Sequence, residues 1–135
     1  MSLSAPPTAS PLSGLRVLVV EDEAMVAMLL EDMLAELDLR VAAVAGSVAQ
    51  ALAVLVSERP AFDLALLDVN LRGSTVYPVA DRLLALGIPF AFCSGYGAAG
   101  VADAYGHLPV IGKPFDVRLL GEALVATYNG GRGPV

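Results

Sequence analysis

Four short stretches of the 135-residue chain carry side chains suited to chemistry. Glu21, Asp22 and Glu23 stand together, Asp68 and Asn70 are separated by one residue, Ser94 precedes Gly95, and Lys113 precedes Pro114. Each stretch follows a short apolar run, so each lies where the chain leaves a strand. One charged residue at such a place needs no function, because the chain has just left the core. The set is different. Carboxylates converging from two strands without a cation repel and raise one another's pKa. A hard divalent cation removes that repulsion, and carboxylates, a backbone carbonyl and water are the oxygen ligands that Mg²⁺ takes. A carboxylate beside Mg²⁺ and a lysine is suited to attack a phosphoryl donor, because metal and ammonium share the charge of the transferring group. A serine hydroxyl nearby can donate to a phosphoryl oxygen.

The elements that must position these residues follow from the apolar pattern. Residues 15–20 form a continuous run rich in valine, as in a strand buried on both faces. Residues 24–37 carry Met25, Met28, Leu29, Met33, Leu34 and Leu37 at helical spacing, which assigns the methionines to the core. Residues 41–45 read as a second strand. Ser47 and Gln50 have the spacing of a capping box, opening a helix to about Ser57 that Pro60 ends. Residues 63–67 read as a third strand, and 75–86 as a helix stopped by Gly87. Residues 88–93 form a fourth strand, 98–105 are weakly helical, and 108–111 form a fifth strand. Asp116 can cap a last helix reaching Thr127. This alternation predicts an α/β fold, (βα)5 and doubly wound, with a five-stranded parallel sheet and helices on both faces. Such folds bind ligands beyond the carboxyl ends of the strands, where the four stretches lie. Residues 1–13 and 129–135 are expected as loose tails around a folded unit at 14–128.

Composition narrows the function. Eight Lys and Arg against fourteen Asp and Glu give a net charge of −6, the wrong sign for nucleic acid or for anionic lipid. Hydrophobic residues make up 56% and charged residues 16%, which excludes a disordered chain. No apolar run is long enough to span a membrane, and the N-terminus lacks the form of a secretory signal. The single cysteine, Cys93, excludes an internal disulfide and a zinc module, and a cytoplasmic location follows as the expectation.

Val-Leu-Val-Val-Glu21-Asp22-Glu23, Leu-Leu-Asp68-Val-Asn70-Leu, Ser94-Gly95 and Lys113-Pro114-Phe115 occur in this order across the folded unit. Together they resemble the receiver domain of two-component response regulators, which has a flavodoxin-like fold. The resemblance implies that Asp68 is the phosphoacceptor. It implies that Asp22 binds Mg²⁺ directly, that Glu21 binds it directly or through water, and that the backbone carbonyl of Asn70 completes the protein ligands with Asp68. It implies that Ser94 contacts the phosphoryl group and that Lys113 pairs with its oxygens. The segment from Pro89 to Gly97 is similar to a Pro-Phe-x-Phe-Ala-Thr-Gly-Tyr stretch of the FAT-GUY receivers, which are associated with HWE-type and related histidine kinases. Cys93 and Ser94 stand in place of its Ala-Thr. Val110 occupies the position where receivers usually carry an aromatic switch residue, so Ser94, Tyr96 and Val110 are the switch positions.

Other motifs have simpler explanations. Gly95, Gly97 and Gly100 fit a dinucleotide-binding fingerprint, but that pattern belongs at a first strand-to-helix turn. Asp68 and Asn70 have the spacing of the paired aspartates in dehalogenase-type phosphatases, but Asn70 cannot serve as their general acid. Cys93 reads as a small core residue, His107 as a solvated loop residue, and Glu31, Asp32, Glu36 and Asp38 as a solvated helix face. The expected function is therefore Mg²⁺-dependent acceptance of a phosphoryl group from a histidine kinase or phosphotransfer protein, not turnover of a separate substrate. No output unit follows the receiver-sized segment, so the readout is expected in trans through a downstream protein partner, or as a phosphate sink. The alternative is an adaptor that keeps the fold and works without phosphorylation.

Overall fold

The computed structural model describes residues 12–57 and 62–131. Along the chain they form β1 (Arg16–Val20), α1 (Ala24–Glu36), β2 (Arg40–Ala45), α2 (Val48–Ser57), β3 (Leu64–Asp68), β4 (Asn70–Leu71), β5 (Ser74–Thr75), α3 (Tyr77–Leu86), β6 (Phe90–Ser94), β7 (Val110–Gly112) and α4 (Val117–Gly131). Five strands make one sheet in the order β2-β1-β3-β6-β7, every neighbouring pair parallel. The strands β4 and β5 form a separate two-residue antiparallel ribbon just beyond β3. This is the doubly wound, flavodoxin-like order, and the winding reverses between β1 and β3.

Alternation along the strands builds two cores. Val17, Val19, Leu64, Leu66, Ala91 and Cys93 pack with Leu30 and Leu34 of α1 and with Leu120 and Leu124 of α4. Leu18, Val20, Ala65, Leu67, Phe90 and Phe92 pack on the opposite face with Ala51, Leu55, Val79 and Leu83 of α2 and α3. Because β3 and β6 are buried along their whole length, they read as continuous apolar runs rather than alternating ones. Local chemistry sets the helix ends. The Gln50 N–H donates to Ser47 Oγ at 3.1 Å, and Gln50 Oε1 accepts from the Gly46 N–H at 2.8 Å. Gly87 ends α3 at φ 72°, a left-handed conformation that glycine takes without steric cost. Asp116 Oδ1 accepts from the N–H groups of Arg118 and Leu119 at 2.9 and 3.0 Å and starts α4.

Several expectations need correction. The weakly helical link expected between β6 and β7 is two 3-10 turns, Gly97–Gly100 and Asp103–Tyr105, so four α-helices are present among the described residues. Its glycines disfavour a regular helix. Met25 and Met28 are not core residues: they are 83% and 62% exposed. The helix α1 docks instead on Ala27, Leu30 and Leu34. The run Met25-Val-Ala-Met-Leu-Leu30 is apolar on every side of the helix, so spacing alone does not fix which side faces inward. Leu12 is not in a loose tail: it is 2% exposed and packs against the α1/α4 core, while the Gly14 N–H donates to the Asp38 carbonyl at 2.8 Å. The helix α4 continues past Thr127 to Gly131. Residues 1–11, 58–61 with Pro60, and 132–135 lie outside the described residues. No described helix is long and apolar enough to cross a membrane.

Candidate functional site

The carboxyl ends of β1, β3, β6 and β7 deliver the four stretches to one edge of the sheet. Glu21 follows β1 and its N–H donates to the Ala45 carbonyl of β2 at 2.9 Å. Asp68 ends β3, and the following Val69 N–H donates to the Cys93 carbonyl of β6 at 3.2 Å. Ser94 ends β6. The Lys113 N–H donates to the Ser94 carbonyl at 3.1 Å, which sets the lysine backbone beside the end of β6. Thus backbone pairing, not side-chain attraction, fixes where each group stands.

The side chains then meet. Carboxylate oxygens of Glu21, Asp22 and Asp68 lie within 4.8 Å of one another. Lys113 Nζ is 3.3 Å from Asp68 Oδ2 and 3.5 Å from Glu21 Oε1. Glu21 is 3% exposed, and its Oε2 accepts the Glu23 N–H at 3.0 Å. Its Oε1 is buried and accepts no hydrogen bond. An ionised carboxylate oxygen buried in this way is costly unless a cation reaches it. Burial pushes the Glu21 carboxyl up to about 7; the Asp68 charge adds to this, against the Glu23 N–H and the Lys113 ammonium. For Lys113, partial burial lowers the pKa, but the Asp68 and Glu21 charges outweigh it and hold the ammonium above its ordinary value. One ammonium thus faces two carboxylates of the three, Glu21 and Asp68. The set is rich in hard oxygen donors, converges on one point and holds one buried oxygen, Glu21 Oε1, with the Lys113 ammonium near it but no hydrogen bond, which fits a divalent cation such as Mg²⁺.

The remaining expected residues divide. Ser94 is 5% exposed, and its Oγ accepts the Tyr96 N–H at 3.1 Å. Asn70 is exposed; its N–H donates to Asp68 Oδ1 at 3.5 Å and its Oδ1 accepts the Gly73 N–H at 3.2 Å, which shapes the turn beyond β3. Tyr96 projects into solvent at 84% exposure, away from the carboxylates' burial. Val110 pairs in register with Phe92 and is half-buried. Val110 packs against the same core cluster as Phe92, Tyr77 and Tyr105, whose rings meet edge to face and stacked. Tyr105 was not among the expected residues, since only its tertiary contacts mark it. Arg72 was also missed: its Nε lies 3.5 Å from Asp22 Oδ2, in an exposed pair worth little by itself.

The simpler readings of the other motifs agree with the structure. Gly97–Gly100 opens a 3-10 turn and no α-helix follows it before β7, so the dinucleotide fingerprint has no helix to work with. Cys93 is 2% exposed, and burial pushes its thiol up to about 12, so it is an inert core residue. His107, Glu31, Asp32, Glu36 and Asp38 are exposed.

Fold and site together define a doubly wound α/β domain with an acidic cluster and a lysine at its switch-point edge, and the sequence places it in a family. The family model for the response regulator receiver domain matches residues 17–125, and the chain belongs to this family of two-component signalling. Among solved structures, it is similar to the solution structure of SdrG from Sphingomonas melonis Fr1, with 40% identity over 84% of this chain and 96% of that one, at a TM-score of 0.75. It is likewise similar to the BeF3-activated conformation of SdrG from Pseudomonas melonis Fr1, with 41% identity over 86% of this chain and 98% of that one, at a TM-score of 0.72. The receiver domain of the Erythrobacter litoralis response regulator PhyR shares the fold at a TM-score of 0.77, with 24% identity over 91% of this chain and 96% of that one. No curated protein matches the chain.

Proposed function

We propose that this receiver domain accepts a phosphoryl group on Asp68 from a histidine kinase or a phosphotransfer protein. The observation that carries the reading is the buried Glu21 Oε1, which lacks a hydrogen bond within a three-carboxylate cluster that Lys113 only partly neutralises. Glu21, Asp22, Asp68 and the backbone carbonyl of Asn70 would hold Mg²⁺. When bound, the ion neutralises phosphoryl oxygens and lowers the charge barrier to attack.

The chain's own residues do the rest. An Asp68 carboxylate oxygen attacks phosphorus, a P–O bond forms, and the bond to the donor breaks. For a phosphohistidine donor the P–N bond breaks, and the imidazole leaves with the electron pair and takes a proton from solvent. Lys113, 3.3 Å from Asp68, shares the charge that develops on the transferring group. Ser94 donates its hydroxyl proton to a phosphoryl oxygen after turning from the Tyr96 N–H. The product is an acyl phosphate, which water at the same site hydrolyses back to Asp68 and inorganic phosphate. No other substrate is turned over.

Phosphorylation exchanges the −1 of the Asp68 carboxylate for a phosphoryl group of about −1.5 to −2 charge with three acceptor oxygens at this edge. Ser94 and Lys113 moving toward that charge shift the segment between β6 and β7, and a partner reads the shift in trans. The FAT-GUY-like segment from Pro89 to Gly97 favours a kinase of the HWE type. The test is a titration of the protein with Mg²⁺ and then beryllofluoride, followed by amide spectra. Saturable changes at Asp68, Ser94 and Lys113 are expected. Absence of any response to either reagent contradicts the reading and favours a phosphorylation-independent adaptor.

A further inference from the structure

Between β6 and β7 the chain folds back over its own serine. Gly100 is not in the left-handed region, so its backbone does not require a glycine. Its surroundings do. A Cβ built at Gly100 would lie 2.2 Å from Ser94 Oγ, while the next nearest atoms, Tyr96 Cβ and Ser94 Cβ, are at 3.3 and 3.4 Å. The closest conflict is therefore with one oxygen, the hydroxyl to which a phosphoryl contact is assigned above. Gly100 cannot easily retreat, because the segment is pinned just beyond it. Val101 is 8% exposed in the α2/α3 core. The Ala102 N–H donates to the Tyr77 hydroxyl at 2.7 Å. Tyr105 stacks on Tyr77 with ring centroids 4.5 Å apart, and its hydroxyl donates to Asp81 Oδ1 at 2.6 Å.

We propose that Gly100 is a positioning residue for Ser94: its missing side chain leaves the space in which the Ser94 hydroxyl rests, turned to the Tyr96 N–H, with the surrounding segment held on α3 by Tyr77, Tyr105 and Asp81. Any side chain at position 100 displaces the hydroxyl from that rest position. The phosphoryl-switch reading supplies the consequence, because a displaced hydroxyl alters the poise of the switch. The steric relation itself is independent of phosphorylation.

A double-mutant cycle in the full chain tests it. Gly100→Ala is expected to lower the thermal midpoint. It should also move the Tyr96 amide proton upfield and speed its exchange several-fold, as its acceptor is lost. In the Ser94→Ala background the same substitution should leave the midpoint nearly unchanged, because the atom at 2.2 Å is gone. An equal loss in both backgrounds overturns the proposal, since a general need for glycine would not depend on the serine oxygen. A Gly100→Ala protein with an unaltered midpoint and Tyr96 amide overturns it as well. If Gly100→Ala does not fold, the double variant must fold as Ser94→Ala does, and its failure counts against the proposal. Mg²⁺ with beryllofluoride, added to the wild type, separates the two ideas: a silent wild type removes the phosphoryl reading, whereas the apo cycle still decides the role of Gly100.

Discussion

Replacing Glu21 by glutamine makes the cost of burying its carboxylate measurable as a pH dependence. The Glu21 carboxyl sits at about 7 in the fold against an ordinary 4.5, chiefly through burial. At about 1.4 kcal/mol for each tenfold in proton affinity, that gap is worth about 3 kcal/mol. The sign follows from proton counting. Below pH 4.5 the folded and unfolded chains both hold the proton. Between pH 4.5 and 7 the folded chain holds it more tightly, so stability falls as pH rises and the loss is complete above about 7. Glutamine does not titrate and has no such loss. Urea unfolding of both proteins without divalent cations, at about pH 5 and about pH 8, compares the chain with and without this carboxyl. The stability difference should move by about 2 to 3 kcal/mol in favour of Glu21→Gln on going to the higher pH. Mg²⁺ at the higher pH should then restore the wild type more than the variant, because the metal binds the ionised carboxylate. A difference that stays flat with pH, or that turns in favour of the wild type without metal, refutes the reasoning.

Three further outcomes follow from the geometry. Lys113→Met should slow labelling by a small phosphodonor about 10²-fold, since one preorganised charge on the transferring group is lost, while leaving the fold intact by amide spectra. Leu34→Ala should cost about 2 to 5 kcal/mol in urea unfolding because Leu34 is fully buried, whereas Met25→Ser should stay within about 0.5 kcal/mol because Met25 is 83% exposed. Tyr105→Phe should cost about 1 kcal/mol through the lost hydrogen bond to Asp81, and Tyr105→Ala distinctly more because the stack on Tyr77 goes too, as thermal melts of the two variants would show.

The site was legible because its placement is topological. In a parallel sheet every strand delivers its last residue to the same edge, so Glu21, Asp68, Ser94 and Lys113 were brought together by strand ends alone. Caps were legible for a local reason: Ser47 with Gln50, Gly87 and Asp116 act within a few residues of themselves. What escaped depends on distance or phase. The inward side of α1 was misjudged because Met25, Met28 and Leu29 are as apolar as the residues that do face the sheet. Leu12 docks on a core assembled from residues far along the chain. Tyr105 finds Tyr77 and Asp81 from well over twenty positions away, a pairing for which no local pattern exists. Gly100 stands out in the sequence only within a dinucleotide-type glycine pattern, and its close approach to Ser94 is visible only in the folded chain.

The most direct measurement of the central claim is the mass of the intact protein after incubation with Mg²⁺ and acetyl phosphate, for the wild type beside Asp68→Asn. The account predicts a single phosphoryl adduct on the wild type, lost on removing Mg²⁺, and none on Asp68→Asn. An unlabelled wild type, or an adduct that persists on Asp68→Asn, would contradict it.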